Sequence, residues 1–371
     1  MQLKIILLEP FFSGSHQQWA EGLKNNSRHK IEILSLKGRH WKWRMYGGAV
    51  ALADQFNQLN YHPDLLLATD MLDLATFMAL TKNKSAHIPT AVYFHENQIT
   101  YPWSPFDEDV KLERNNQYGF INYTSALVAD QLFFNSTFHK NAFLNSLPSF
   151  LHQFPDNKGL KNIEKIKTKS TTLPLGMDLR RFDKYKPFAT KNNPPVLLWN
   201  HRWEYDKNPD PFFYALFRLK DEGVDFKLIV LGESYNKYPS IFKNAKTRLK
   251  DNIIHFGYAE SFEKYASLLW LADILPVTSQ QDFFGGSIVE AIYCDCVPIL
   301  PNRLAYPEHL NEETYSHYYY QADEVFFGKL QDTLIEFSNK EPLNGELLVG
   351  KYDWDKLIYK YDDEFIRIVS K

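Results

Sequence analysis

Arg202 and Lys207 stand in the stretch Trp199-Asn200-His201-Arg202-Trp203-Glu204-Tyr205-Asp206-Lys207-Asn208. A guanidinium fork and an ammonium point charge at a loop-to-helix junction suit a diphosphate, whose negative charge grows as it departs from a sugar. An exposed loop with paired surface charges would give the same residues. Further on, Asp282-Phe283-Phe284-Gly285-Gly286-Ser287-Ile288-Val289-Glu290-Ala291 carries two carboxylates around a glycine pair. The glycines let backbone approach a ligand closely, and the free N–H groups of a helix start attract anions and hydroxyl oxygens. Asp282 and Glu290 at this separation suit the two ends of an elongated, hydroxyl-bearing ligand. The alternative is Asp282 as a helix cap and Glu290 as a helix ion-pair partner. Glu290 lies among Ile288, Val289, Ala291 and Ile292, so it either points into a cleft or needs a partner.

The first half offers three more groups. Gly14-Ser15-His16 and His95-Glu96-Asn97 each follow an apolar run. The glycine turn permits close approach of a sugar or phosphate, and His95 is suited to a hydrogen bond at a reacting centre, although a lone histidine is ordinarily structural. Lys37-Gly38-Arg39-His40-Trp41-Lys42-Trp43-Arg44 alternates bases with aromatic rings. Arg39, Lys42 and Arg44 fit phosphates, and Trp41 or Trp43 fits an unpaired nucleobase. The competing reading has the tryptophans plugging a small satellite core beneath solvated bases. Lys158–Lys169 reads as a solvated loop or helix face. Cys294 and Cys296 have no further cysteine to complete a soft metal site, and read as small buried residues.

The elements that must position these groups alternate. Leu3–Leu8, Ile31–Leu36, Asp64–Ala68, Thr90–His95 and Gln131–Asn135 read as strands, with helices over Gln17–Leu23, Gly48–Gln58, Leu72–Thr81 and Asn115–Ala129. The proline-rich stretch Pro187 to Pro195 reads as a linker. The pattern then restarts with strands Val196–Trp199, Lys227–Leu231, Ile253–Phe256, Ile274–Val277 and Val297–Leu300. Helices are expected over Pro211–Glu222, Glu260–Ala272, Ser287–Tyr293 and Tyr352–Ser370. The fold class is therefore α/β, two Rossmann-like, doubly wound parallel units at 1–187 and 188–350 and a closing helix at 351–371. Ligands of such sheets bind beyond the carboxyl ends of the strands, so a cleft between the units is the expected site. The chain has 371 residues, 44% hydrophobic and 23% charged, with a net charge of −3 and a mean hydropathy of −0.41. No apolar run approaches the ~18 residues of a membrane helix, and Leu3–Leu8 is too short for a signal segment. A cytoplasmic protein is expected. The charge argues against a basic coat for bulk nucleic-acid binding, but leaves room for one local basic patch.

Taken in order, Leu173-Pro174-Leu175-Gly176-Met177-Asp178, Arg202 with Lys207, Gly232-Glu233, the acidic-x7-Glu element from Asp282 to Glu290, and Pro307-Glu308 resemble the GT-B retaining glycosyltransferases of family 4. The first acidic position, commonly Glu there, is Asp282 here, one methylene shorter. Glu9-Pro10-Phe11-Phe12-Ser13-Gly14-Ser15-His16, Trp41-Lys42-Trp43-Arg44, Tyr93-Phe94-His95-Glu96-Asn97-Gln98, Phe134-Asn135-Ser136 and Tyr293-Cys294-Asp295-Cys296-Val297-Pro298 are similar to the tRNA-queuosine mannosyltransferases. The resemblance implies a nucleotide-sugar donor, GDP-mannose, on the C-terminal domain, no required metal, and a last helix crossing back to the first domain. It implies as acceptor the cyclopentene-diol of queuosine at the wobble position of an aspartate tRNA.

On this reading Arg202 and Lys207 stabilise the departing GDP, with His95 beside the anomeric carbon. Gly14, Ser15, His16, Asp282, Phe284, Gly285, Gly286, Ser287 and Glu290 hold the donor, Asp282 on the sugar and Glu290 on the ribose. Arg39, Trp41, Lys42, Trp43, Arg44, Glu96 and Asn97 meet the tRNA. Two rival readings remain: a GT-B enzyme acting on a lipid or polysaccharide, with Trp41–Trp43 at a membrane surface, or a nucleotide-sugar-binding module without catalysis.

Overall fold

The computed structural model describes residues 1–104, 107–187, 192–233, 238–337 and 343–371. The chain forms two compact units, Met1–Met177 with Trp354–Lys371, and Asp178–Asp353. The division thus falls earlier than residue 187, for a local reason. The short 3-10 helix Arg180–Tyr185 buries Phe182 against Phe262 of the second unit, and the Asp353 carboxylate accepts the N–H groups of Leu179 and Arg180. Of the proline-rich stretch, 188–191 lie outside the described residues.

The first unit contains β1 (Lys4–Phe12), β2 (Lys30–Lys37), β3 (Leu65–Thr69), β4 (Thr90–Phe94), β5 (Gln131–Phe134) and β6 (Ser170–Thr172), in the spatial order β2-β1-β3-β4-β5-β6. Every pairing is parallel. β3, β4 and β5 are buried on both faces, which is why they read as continuous apolar runs. Helix α1 (Gly14–Asn26) follows β1, and α2 (Trp41–Gln58) follows β2. α2 starts well ahead of Gly48 because the glycine pair 47–48 interrupts the apolar spacing without breaking the helix. A helix over Thr137–His152 carries Pro148 inside it and was not expected. The closing helix, Trp354–Val369, packs Trp354, Leu357, Tyr361, Phe365 and Ile368 into the core formed with Trp19, Leu23 and Tyr93.

The second unit contains β7 (Val196–Asn200), β8 (Lys227–Leu231), β9 (Ile253–Gly257), β10 (Ile274–Pro276), β11 (Val297–Pro301) and β12 (Tyr319–Tyr320), in the order β12-β11-β10-β7-β8-β9, again parallel. Its helices include α3 (Pro209–Asp221), α4 (Phe262–Leu271) and α5 (Gly286–Tyr293). Each sheet reverses its winding once, between β1 and β3 and between β7 and β10. At such a point consecutive loops part to opposite sides and leave a crevice at the strand ends.

Candidate active site

In the second unit the crevice lies beyond β7 and β10, and the segments that carry Arg202–Lys207 and Asp282–Glu290 meet there. The Lys207 ammonium is buried and donates to Asp282 Oδ1 at 2.9 Å and to the Gln281 carbonyl at 2.5 Å. Asp206 Oδ2 stands 3.2 Å from it. Burial opposes the charge on Lys207, but Asp282 and Asp206 raise its pKa above the usual value. Burial by itself would raise Asp282; Lys207, His201 and the Tyr306 hydroxyl, which donates to Oδ2, hold it lower than usual. The pair is ionised and closely matched. Lys207, expected as a cation facing the ligand, is thus a buried ammonium already held by two carboxylates. Asp282 does not cap α5: the residue before the helix is Gly285, with no side-chain cap bond. Gly285 adopts φ +85, which an L side chain strains to reach.

Arg202 is different. Its guanidinium lies 3.3 Å from Glu204 Oε2 and its side chain is 45% exposed, so it can swing onto an anion. His201 beside it is buried, with Nε2 unpartnered among the described residues and a pKa pushed down by burial to about 4. Glu290 faces a partner, as its apolar neighbours required: Arg181 Nη2 at 3.2 Å and the Tyr265 hydroxyl at 2.7 Å. Burial outweighs Arg181 and raises its carboxyl. The Phe284 carbonyl accepts from His309 Nε2 at 2.6 Å, its ring packs against His309 and Tyr352, and the Ser287 carbonyl accepts from Asn200 Nδ2. Gly286 begins α5, where backbone N–H groups are left for an anion or hydroxyl. Sequence reasoning missed Arg181, Tyr265, Tyr306 and His309, because each reaches the site from a distant element.

In the first unit the expected glycine turn is the start of α1: Gly14 and Ser15 are its exposed first residues, and His16 behind them is buried. His16 Nδ1 lies 3.0 Å from Glu9 Oε2, whose other oxygen accepts the Phe11 N–H. Burial would lower the His16 pKa; Glu9, and more weakly Asp70 and Glu96, override it and raise it to about 9. His95 follows β4, its backbone N–H donating to Asp70 Oδ1 at 2.8 Å. Its ring lies 4.2 Å from that of His16, centroid to centroid. Burial first, then His16 and His139, push it well below the usual histidine range, so it is a neutral imidazole. Its Nε2 has no hydrogen-bond partner among the described residues. One donor atom each of Glu9, His16 and His95 falls within 4.8 Å of the others, close enough for a metal ion; a protonated His16 opposes one.

Four of the expected tRNA contacts are engaged with other residues of the fold. The Lys42 ammonium bonds Asp107 and Asp109, both at 2.5 Å, and lies 5.5 Å from the Trp103 ring centroid. Its charge is already matched by two carboxylates, which a phosphate would have to displace. Trp41 packs in a satellite core with Met45, Met71 and Tyr118. Asn97 is fully buried and its side-chain oxygen accepts the N–H groups of Ile99 and Thr100, closing a turn. Glu96 accepts from Gln98 at 2.8 Å. Arg39 and Trp43 are exposed, and Arg44 is half-buried. Cys294 and Cys296 are buried free thiols, in keeping with the structural reading.

Residues 181–324 match the family of glycosyl transferases group 1, and residues 4–177 match the N-terminal family of tRNA-queuosine alpha-mannosyltransferase. A tRNA-queuosine alpha-mannosyltransferase of Drosophila melanogaster is 35% identical over 366 residues, covering 94% of this chain and 95% of that protein. A GDP-mannose-dependent alpha-(1-6)-phosphatidylinositol dimannoside mannosyltransferase of Mycobacterium tuberculosis (strain CDC 1551 / Oshkosh) is 26% identical over 153 residues, 40% of this chain and 39% of that protein. Among solved structures, the catalytic domain of starch synthase IV from Arabidopsis thaliana bound to ADP and acarbose aligns over 100% of both chains with a TM-score of 0.71 and 11% identity. A glycosyltransferase from Rickettsia africae ESF-5 aligns over 99% of both with a TM-score of 0.68 and 14% identity. The fold is that of the GT-B glycosyltransferases, and among the described residues no helix is long and apolar enough to cross a membrane. With its crevices at the sheet reversals and its near-full-length likeness to the fly protein, this glycosyltransferase belongs to the tRNA-queuosine alpha-mannosyltransferase family.

Proposed function

We propose that this enzyme transfers mannose from GDP-mannose to queuosine at the wobble position of tRNA-Asp, with retention at the anomeric carbon. The observation that carries the reading is the 35% identity over 94% of the chain to a tRNA-queuosine alpha-mannosyltransferase.

The second unit holds the donor. Arg202 exchanges Glu204 for the diphosphate, and its fixed charge grows in effect as negative charge develops on the leaving GDP. Lys207 acts from behind, locking Asp282 ionised and in place so that its remaining lone pairs accept sugar hydroxyls. Glu290, held by Arg181 and Tyr265, presents its free lone pairs to the ribose, and the Gly285-Gly286 turn offers backbone N–H groups. With these side chains supplying the charge stabilisation, no divalent ion is required, and turnover persists in chelator. The first unit supplies His95, a neutral imidazole whose Nε2 is suited to a hydrogen bond with a hydroxyl at the reacting centre. Transfer passes through an oxocarbenium-like state on the face the leaving group vacates. The tRNA docks on the first unit, which operates in the cytoplasm.

The test is incubation with queuosine-containing tRNA and, separately, GDP-mannose, UDP-glucose or UDP-galactose, followed by nucleoside mass analysis. Queuosine gains one hexose with GDP-mannose alone. A gain only with another nucleotide sugar, or with none, refutes the reading.

A further inference from the structure

The strip Lys37–Arg44 splits into an inner and an outer set when it folds. Trp41 and Lys42 turn inward, into the satellite core and onto Asp107 and Asp109. Trp43 turns outward and is 62% exposed, with Tyr46 and Val50 continuing the exposed row along α2. The indole of Trp43 lies against Gly47, where a Cβ would sit 2.5 Å from two of its ring carbons. Glycine at 47 is what lets the ring lie along the helix instead of standing off it. An exposed indole held against a helix has already lost its rotamer freedom, so a ligand that covers it loses less entropy on binding.

The strip that carries the ring also exposes bases. Lys37 and Arg39 are exposed, and the Arg44 guanidinium is tied down by an Nε bond of 3.1 Å to the Lys37 carbonyl. Among the described residues none of these three is paired with a carboxylate. The strip also adjoins the start of α1, the helix that carries His16. A Cβ at Gly38 would fall 2.0 Å from Ser13 Oγ, so the Lys37–Arg39 loop packs directly on the turn that begins at Ser13.

We propose that Trp43, backed by Gly47, is a stacking platform for an unpaired nucleobase of the tRNA anticodon loop, with Lys37, Arg39 and Arg44 on the adjoining phosphates. The proposal rests on the tRNA reading above. A flat exposed ring in one strip with cations that no carboxylate neutralises matches the two faces of single-stranded RNA, a π surface and a phosphate track. Stacking on an aromatic ring is worth enough for its loss to weaken binding about 5- to 150-fold.

The experiment measures binding of queuosine-containing tRNA to the full chain by filter retention, for wild type, Trp43→Ala and Trp43→Phe, and for Arg39→Ala with Arg44→Ala. Melting midpoints check folding; Trp43 is exposed, so they stay put. Trp43→Ala weakens binding within the range above, and Trp43→Phe recovers most of it. The double arginine variant lowers the salt slope by roughly one for each phosphate left without its cation. Equal affinity of Trp43→Ala and wild type overturns the platform, as does Trp43→Phe binding no better than Trp43→Ala. Trp43→Ala that releases anionic phosphatidylglycerol vesicles yet keeps tRNA would assign the surface to a membrane instead. Wild-type protein that ignores tRNA overturns the functional reading and the platform together; an unaffected Trp43→Ala beside a binding wild type overturns the platform alone.

Discussion

Arg202 and Lys207 look alike in the sequence and behave differently in the fold. Arg202 is half-exposed and ion-paired to Glu204, so Arg202→Ala leaves the melting midpoint nearly unchanged while lowering kcat by roughly 10²–10³-fold, the size of removing one preorganised charge donor. Lys207→Ala strands Asp206 and Asp282 without their buried counter-ion and costs stability as well, on the order of 3–5 kcal/mol. Thermal melts beside steady-state rates separate the two. Glu9 gives a third expectation. His16 is held protonated to about pH 9 against 6.5 for an ordinary histidine, so the folded chain binds a proton that the unfolded one releases. Its stabilisation is full below pH 6.5 and is lost as pH rises through about 9. Asp70, raised by burial to about 8, holds a proton in the same sense. Melting midpoints therefore fall between pH 6.5 and 9, and Glu9→Gln flattens that fall. An equal slope in both proteins contradicts the assignment. Residue types were legible in the sequence; their engagements were not. Lys207 meets Asp282 across 75 residues and Arg181 meets Glu290 across 109, and the loss of Lys42 to Asp107 and Asp109 could not be read from Lys42 alone.

At the scale of elements, the buried parallel strands announce themselves because both faces are covered and the apolar runs are unbroken. The helix Thr137–His152 does not, since Pro148 carries a stop signal into a helix whose buried Phe143, Leu147, Phe150 and Leu151 hold it together regardless. The site follows from the order of the strands. β1 pairs with both β2 and β3, and β7 with both β8 and β10, so the loops after β7 and β10 converge and those after β1, β3 and β4 do the same. That order was not legible from the alternation of strands and helices. Gly285 turns the chain from its loop into α5 at φ +85, with Tyr306 Cε1 3.1 Å from where a Cβ would be. Gly285→Ala therefore loses about 1–2 kcal/mol to the left-handed backbone and shifts the start of α5. Weaker GDP binding with a lower melting midpoint is expected. A midpoint and affinity equal to wild type would show that the turn is not constrained.

At the scale of the whole molecule, the chain leaves the first unit at Met177 and re-enters it at Trp354, whose N–H donates to the Met177 carbonyl at 2.9 Å. The seat is tight: a Cβ at Gly176 would lie 2.3 Å from the Trp354 ring, and Tyr361 donates to the Pro174 carbonyl at 2.6 Å. Gly176→Val overpacks that seat at a cost of about 1–3 kcal/mol, lowering the melting midpoint of the first unit while GDP affinity in the second is retained. The amphipathic run at the end of the sequence made this helix legible; its Trp354 seat on Gly176 was not. The account as a whole turns on where the diphosphate binds, and a structure of the protein with GDP measures that directly. It should show the phosphates at the strand ends of the second unit, bonded by the Arg202 guanidinium and lying over the Lys207–Asp282 pair, with Glu204 released. GDP bound elsewhere, with Arg202 still on Glu204, would contradict it.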